Sequence, residues 1–263
     1  MKTDRWADAS AYELYMGRWS RSLAREFLAW LAIRPNSSWL EIGCGTGSLT
    51  SAICELTAPA TVVACDTAPD FVSYCREHLR YEKLTVVPVP PSGYPSQPGG
   101  FGVVVSSLVL NFLPSPLDAL VQMRASCAPG GRVAACVWDY QDGMEFLRIF
   151  WDAAVALDPA ARSLDEGRRF PICRPEPLSA AFRDAGLASV RVAPIRVATT
   201  FASFDDFWAP FVNGPGPAPS YVASLGSAAR QELEDRLRDT LGPGRPIQLH
   251  ARAWAVSGEP GTA

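Results

Sequence analysis

The stretch Glu41-Ile42-Gly43-Cys44-Gly45-Thr46-Gly47 has the residue types and spacing with the clearest chemical meaning. Glycines at alternate positions let backbone come very close to a ligand, and a helix that starts after such a loop offers unpaired N–H groups. Asp66 stands 19 residues after Gly47, at the end of the β-branched run Thr61 to Cys65. In a right-handed βαβ unit both strand ends open on the same edge, so loop and acid face one crevice. A carboxylate placed there accepts hydrogen bonds from both hydroxyls of a ribose, and the site therefore expects a nucleoside. The spacing is G-x-G-x-G, whereas a dinucleotide fingerprint reads G-x-G-x-x-G. Glu41 in front of it would repel a pyrophosphate and favour an ammonium group.

The elements that must position these residues can be read on either side. Residues 1–35 read as a helical segment, with Ser20 as a cap and Leu23, Phe27, Trp30 and Leu31 at helical spacing. Trp39 to Ile42 reads as a first buried strand. It leads into the glycine loop and then a helix with Leu49, Ile53 and Leu56 on one face. Thr61 to Cys65 is a second strand, and Pro69 opens a helix carrying Phe71, Cys75 and Leu79. Leu84 to Val87 and Val103 to Val105 are the third and fourth strands. Ser115 caps a helix whose Leu117, Leu120 and Val121 face inward, and Pro129-Gly130-Gly131 turns the chain into a fifth strand, Val133 to Trp138. Met144 to Leu157 is an apolar helix, and strands six and seven begin at Ser189 and Ile247. Alternation at this spacing argues for a doubly wound α/β sheet, mostly parallel.

The first motif, Leu40 to Gly47, with Asp66 behind it, resembles that of the class I S-adenosylmethionine-dependent methyltransferases. The likeness is nearest to the small-molecule, type 11-like members. It continues through Phe101-Gly102-Val103-Val104-Val105-Ser106-Ser107 and Ala128-Pro129-Gly130-Gly131, and so covers about residues 36–138. It implies a Rossmann-like seven-stranded sheet with the last strand antiparallel, and S-adenosylmethionine as cofactor. The resemblance assigns cofactor contacts to Tyr15, Arg18, Glu41, Gly43, Cys44, Gly45, Thr46, Gly47, Asp66, Thr67 and Ser107. Arg18 would pair the methionine carboxylate or stand as a surface arginine. It departs from the pattern where many relatives carry an acid facing the adenine amino group: Val89-Pro90-Pro91-Ser92 has none, leaving backbone carbonyls or Ser92 for that task. Gly102 stands where an Asp is common. Ser106-Ser107-Leu108-Val109 lacks the Asn/Asp-Pro-Pro-aromatic run of enzymes that methylate bases.

Composition sets limits consistent with this. The 263 residues carry 24 Lys+Arg against 27 Asp+Glu, a net charge of −3, which gives no electrostatic footprint for nucleic acid or anionic membrane. There is no apolar stretch near Met1 and no run of about 18 apolar residues, so the chain reads as cytoplasmic with no membrane partner. Seven cysteines without a C-x-x-C and only two histidines, His78 and His250, form no metal-ligand spacing, and no metal is expected. The chain reads as one methyltransferase domain over 1–263: an amino-terminal segment 1–35, a cofactor core 36–138, and helical cover elements 139–187 and 199–245.

Candidates for work on the acceptor follow strand five, where Asp139 and Tyr140 can orient or deprotonate a substrate. A helix cap is the competing role for Asp139. Of 27 aromatic residues, 36–137 hold seven and the rest of the chain twenty. Phe201, Phe204, Phe207, Trp208, Phe211 and Tyr221 either pack the added helices or line an apolar acceptor site. Arg168, Arg169 and Arg174 are solvated or steer an acidic substituent. The expected activity is methyl transfer to a small-molecule acceptor, apolar or aromatic. An NAD(P)-dependent oxidoreductase and a non-catalytic nucleoside-binding module are the alternatives.

Overall fold

Strand β1 (Ser38–Ile42) is buried along Trp39, Leu40, Glu41 and Ile42. Such a run belongs in the middle of a sheet covered on both faces. The computed structural model describes residues 17–214, 216–242 and 246–261, and in it β1 does take that place. It pairs in parallel with β2 (Thr61–Asp66) on one side and β4 (Phe101–Ser107) on the other. β3 (Leu84–Pro88) continues the parallel sheet beyond β2, and β5 (Cys127–Trp138) continues it beyond β4. With β6 (Leu187–Phe201) and β7 (Ile247–Pro260) the order is β3-β2-β1-β4-β5-β7-β6.

β7 is antiparallel to β5. Arg132 near the start of β5 pairs with Glu259 near the end of β7, whereas Asp139 just past β5 donates its N–H to the carbonyl of Arg252. The residue numbers of each pair have the same sum, as antiparallel register requires. The seven-stranded, mostly parallel sheet with an antiparallel last strand agrees with the sequence reading.

The helices are α1 (Arg18–Leu31), α2 (Ser48–Leu56), α3 (Pro69–His78), α4 (Pro116–Ser126), α5 (Glu145–Leu157), α6 (Glu166–Arg169), α7 (Pro175–Asp184), α8 (Phe204–Asn213), α9 (Pro217–Ser224) and α10 (Ser227–Leu241). Several details differ from the sequence reading. Ser20 lies inside the first turn of α1 and is no cap, because the helix already runs from Arg18. Leu56, at the last position of α2, is 49% exposed. In α4 the buried stripe is Ala119, Leu120, Met123 and Ser126. That spacing puts Leu117 and Val121 on the flank, exposed, and only Leu120 of the three expected residues faces inward. Pro129-Gly130-Gly131 is no turn ahead of the strand but an irregularity inside it: β5 starts at Cys127, and the register slips between Phe101 and Val103. Ser115 caps α4 as expected, accepting from the N–H of Asp118.

The chain divides into two compact units. One holds Ser20–Val137, Ile172–Ile195 and the residues from Ala253 onward, and contains the glycine loop. The other holds Arg18 and Trp19 with Trp138–Pro171 and Arg196–Arg252, and is rich in rings. Its centre is a continuous aromatic cluster. Phe150 stacks on Phe211 with centroids 4.4 Å apart and planes 6° from parallel, and Phe211 also meets Phe146, Phe207 and Trp208. Tyr221 closes on Phe150 and Trp151, while Trp19 meets Phe146 and Phe201. Phe146, Phe150, Phe201, Phe207 and Phe211 are fully buried. Most of the rings that the sequence left open between packing and substrate thus pack on one another. Removing the central ring, Phe211→Ala, is expected to destabilise the protein by about 3–5 kcal/mol, read as a lower urea midpoint.

Candidate cofactor site

The parallel register brings the ends of several strands to one sheet edge. Ile42 pairs with Cys65 and with Ser106, and Ser107 with Cys136, so Gly43, Asp66 and Ser107 emerge side by side. The loop from Gly43 to Gly47 is shaped by backbone bonds. The N–H groups of Gly43 and Cys44 both donate to the Cys65 carbonyl, and that of Gly47 to the Cys44 carbonyl. All three glycines have positive φ, at 74°, 53° and 83°. Their surroundings differ. A Cβ on Gly43 would stand 2.5 Å from a methyl of Val109, and one on Gly47 would stand 2.5 Å from a methyl of Leu79. At Gly45 no atom lies within 4 Å of that position. Gly43 and Gly47 are therefore demanded by the protein's own packing, and Gly45 is the one that faces open space.

Asp66 is tied to this loop. Its Oδ2 accepts from the N–H of Gly45 at 2.9 Å and its Oδ1 from the N–H of Ala68 at 2.9 Å. Each oxygen retains a lone pair, since a carboxylate offers about four acceptor sites. Asp66 thus serves the turn into α3 as well as the loop. Its carbonyl accepts from Val89 N–H, which brings the segment after β3 beside it. Thr67 is exposed, and Ser92, a candidate for adenine, is also exposed. Ser107 Oγ lies 3.1 Å from Cys136 Sγ. Just beyond it, Leu108 has a φ of 62°, a conformation that non-glycine residues adopt only under strain.

Glu41 lies beneath the loop, 1% exposed, and accepts from Thr50 Oγ1 at 2.6 Å. Burial raises its pKa from 4.5 to about 8 against the opposing hydrogen bond from Thr50. At neutral pH it is mainly protonated, so it presents no full charge to a ligand. Cys44 and Thr46 are buried, and the thiol of Cys75 donates to the Gly45 carbonyl at 3.2 Å.

In the ring-rich unit, Arg18 forms a two-oxygen pair with Asp206 at 3.3 Å and lies over the rings of Trp19 and Phe201. Tyr15 lies outside the described residues. Asp139 is 2% exposed and bound by Arg252, whose Nε reaches Oδ2 at 2.7 Å, while Oδ1 accepts from Asp142 N–H. The Arg252 N–H donates to the carbonyl of Gly143, where a Cβ would collide with both Arg252 and Asp139. Tyr140 is buried and meets Phe170 at 5.6 Å between ring centroids. His78 Nδ1 lies 2.9 Å from the Tyr74 carbonyl, and His250 lies beside Glu145. All seven cysteines are unbridged, and among the described residues no group of three or more His, Cys, Asp or Glu side chains is placed to hold a metal ion. No described helix is long and apolar enough to cross a membrane.

From the sequence, Val109, Leu79, Thr50 and Arg252 have no role at the site. Each acts across a distance in the chain that residue spacing does not encode. The exception is Thr50, nine residues from Glu41, and a threonine so placed carries no motif.

A Rossmann-like sheet of this order, with a glycine loop after β1 and an acid after β2, defines a nucleoside-cofactor fold. Residues 40–133 match a family model described as a methyltransferase domain. A ubiquinone biosynthesis O-methyltransferase from Methylococcus capsulatus is 29% identical over 153 residues, 56% of this chain and 62% of that protein. A trans-aconitate 2-methyltransferase from Rhodopseudomonas palustris is 28% identical over 119 residues, 45% of each chain. The match thus spans less than two thirds of either relative. Haemonchus contortus phosphoethanolamine N-methyltransferase 2, solved with phosphomonomethylethanolamine and S-adenosylhomocysteine, superposes with a TM-score of 0.58 at 14% identity, over 96% of this chain and 57% of that one. At that identity the likeness concerns the fold. These matches make residues 40–133 similar to the methyltransferase domains of a family whose cofactor is S-adenosylmethionine.

Two outcomes follow from the buried acids. Glu41 keeps in the folded state a proton that the unfolded chain releases. Its contribution to stability is therefore complete below about pH 4.5 and is lost as pH rises through about 8. Glu41→Gln should nearly match the parent in urea midpoint at pH 4.5 and exceed it at pH 9, by on the order of 5 kcal/mol. Arg252→Met leaves Asp139 charged, buried and unpaired, and should cost about 3–5 kcal/mol by the same measurement.

Proposed function

We propose that the protein transfers a methyl group from S-adenosylmethionine to a small-molecule acceptor. The observation that carries this is the open face at Gly45, whose N–H is joined to an acid with acceptor capacity to spare. The donor set fits such a cofactor: backbone of Gly43 to Gly47 for close approach, Asp66 for the ribose hydroxyls, and Thr67 and Ser107 at the rim. When bound, S-adenosylmethionine supplies a methyl already activated by its sulfonium. The chain's task is then to hold and orient the reactants, since alignment accounts for much of the rate of such a displacement. Arg18 is engaged by Asp206 within the ring-rich unit. Asp139, with both oxygens engaged, suits the positioning of the turn 139–143, and Tyr140 is the residue of that turn assigned to the acceptor. A proton on the acceptor's nucleophile requires a base only where that group is protonated at working pH.

The small size of the acceptor is supported by the names of the relatives, which specify a ubiquinone precursor pathway and trans-aconitate. The net charge of −3 and the absence of a base-methylation motif favour the same reading over nucleic acid. With most of the rings outside 36–137 packed on one another, an apolar or aromatic acceptor is left to Tyr140, which meets Phe170. A cytoplasmic setting accords with seven unbridged cysteines.

Titration calorimetry with S-adenosylhomocysteine, S-adenosylmethionine and NAD+ tests the cofactor. The first two should bind and NAD+ should not; the reverse would establish the oxidoreductase reading. Gly45→Ala meets no atom of the protein but is strained at a φ of 53°, at a cost of about 1–2 kcal/mol; the folded variant should lose about tenfold or more in S-adenosylhomocysteine affinity, as should Asp66→Ala. Binding without methyl transfer across a broad acceptor panel would favour the non-catalytic alternative.

A further inference from the structure

Two thiols meet at the glycine loop, and the cofactor reading gives neither a task. Cys44 is the second residue of the loop, and Cys75 is on α3, one turn from its end. Both belong to a buried apolar cluster with Ala64, Val72 and Val86, flanked by Leu79 and Leu84. The Cys44 and Cys75 side chains share a hydrogen bond, and Cys75 also donates to the carbonyl of Gly45. Gly45 is thus held from two directions, by the Cys75 thiol at its carbonyl and by Asp66 at its N–H. A Cβ on Gly47 would lie 3.2 Å from Cys75 Sγ, so the same sulfur also bounds the far end of the loop.

The two sulfurs are unequal. The hydrogen bond from Cys44 holds the Cys75 thiol below its ordinary pKa, against the effect of burial. The same bond, together with burial, pushes Cys44 up. Such inequality assigns the attacking role to Cys75 and the resolving role to Cys44. Cys44 keeps 5% of its surface exposed and Cys75 none, so the oxidant must be as small as hydrogen peroxide.

We infer that Cys44 and Cys75 form a reversible oxidation site that hydroperoxides close to a disulfide, and that closure switches off cofactor binding by the glycine loop. The second half rests on the function proposed above. In the first step the Cys75 thiolate attacks a peroxide oxygen: an S–O bond forms, the O–O bond breaks, and hydroxide leaves to take up a proton as water. In the second step the Cys44 sulfur attacks Cys75. The S–S bond forms, the S–O bond breaks, and the departing hydroxide leaves as water with the Cys44 proton. Two thiols have then lost two hydrogens in all, and the peroxide has become two waters. A disulfide draws the sulfurs to about 2 Å, well inside hydrogen-bonding contact, so loop and α3 must shift together. It also removes the S–H that the Gly45 carbonyl accepts. The residue that faces the open site loses one of its two anchors.

The test uses the full chain, reduced, then treated with hydrogen peroxide. Peptide mapping after alkylation should show Cys44 joined to Cys75. S-adenosylhomocysteine affinity, measured by calorimetry, should fall about tenfold or more and return with dithiothreitol. Cys75→Ala, which suits its apolar surroundings, and Cys75→Ser, which keeps a donor, are each compared with themselves before and after peroxide, and should show no change. The inference is overturned if both cysteines stay alkylatable after peroxide, or if the disulfide forms and affinity is unaltered. A reduced protein that does not bind S-adenosylhomocysteine overturns the cofactor reading and the switch together, while the peptide map still reports on the disulfide by itself.

Discussion

The bond from the Gly45 N–H to the carboxylate of Asp66 joins the loop after β1 to the end of β2, and the site depends on it. It exists because two parallel strands in adjacent register deliver a glycine turn and an acid to the same edge. β1 leads into the loop, Ala68 just ahead of α3 holds the other oxygen, and Val109, two residues past β4, stands against Gly43. Shifting any one of these strands by a residue would turn its side chains to the opposite face and separate the partners.

Sequence order and spatial grouping diverge beyond β5. The ring-rich unit gathers residues from the start of α1, from the stretch after β5 and from the end of β6 onward. Its core is aromatic: the stacked pair Phe150 and Phe211 with its ring neighbours is fully or nearly fully buried. Acids that reach its interior find partners. Arg148 holds Asp165, and Glu166 accepts from the indole of Trp151, with burial raising the Glu166 pKa to about 7. Composition alone marked the unevenness of rings along the chain.

Much of the fold could be read from the sequence because its signals are local. Alternating apolar strands, Pro69 and Pro116 at helix starts, and Ser115 as a cap are each decided within a few residues. The glycine loop and Asp66 were legible for the same reason, since their relation is fixed by one βαβ unit. What escaped was set by distant packing. Leu117 and Val121 looked like core because they are apolar, and only the observed stripe of α4 shows which face is covered. Glu41 looked like a charge facing a ligand, but burial makes it a mostly neutral group bound to Thr50. Asp139 and Arg18 each drew their partner, Arg252 and Asp206, from more than a hundred residues away.

The loop is pinned at both ends and open in the middle. With Val109 against Gly43 and Leu79 against Gly47, its backbone has little freedom to drift. The ordering entropy of such a segment is spent during folding, so less of a ligand's affinity is consumed in arranging the loop that receives it. A ligand must then conform to the loop, and selectivity at this site becomes a matter of shape fixed in advance.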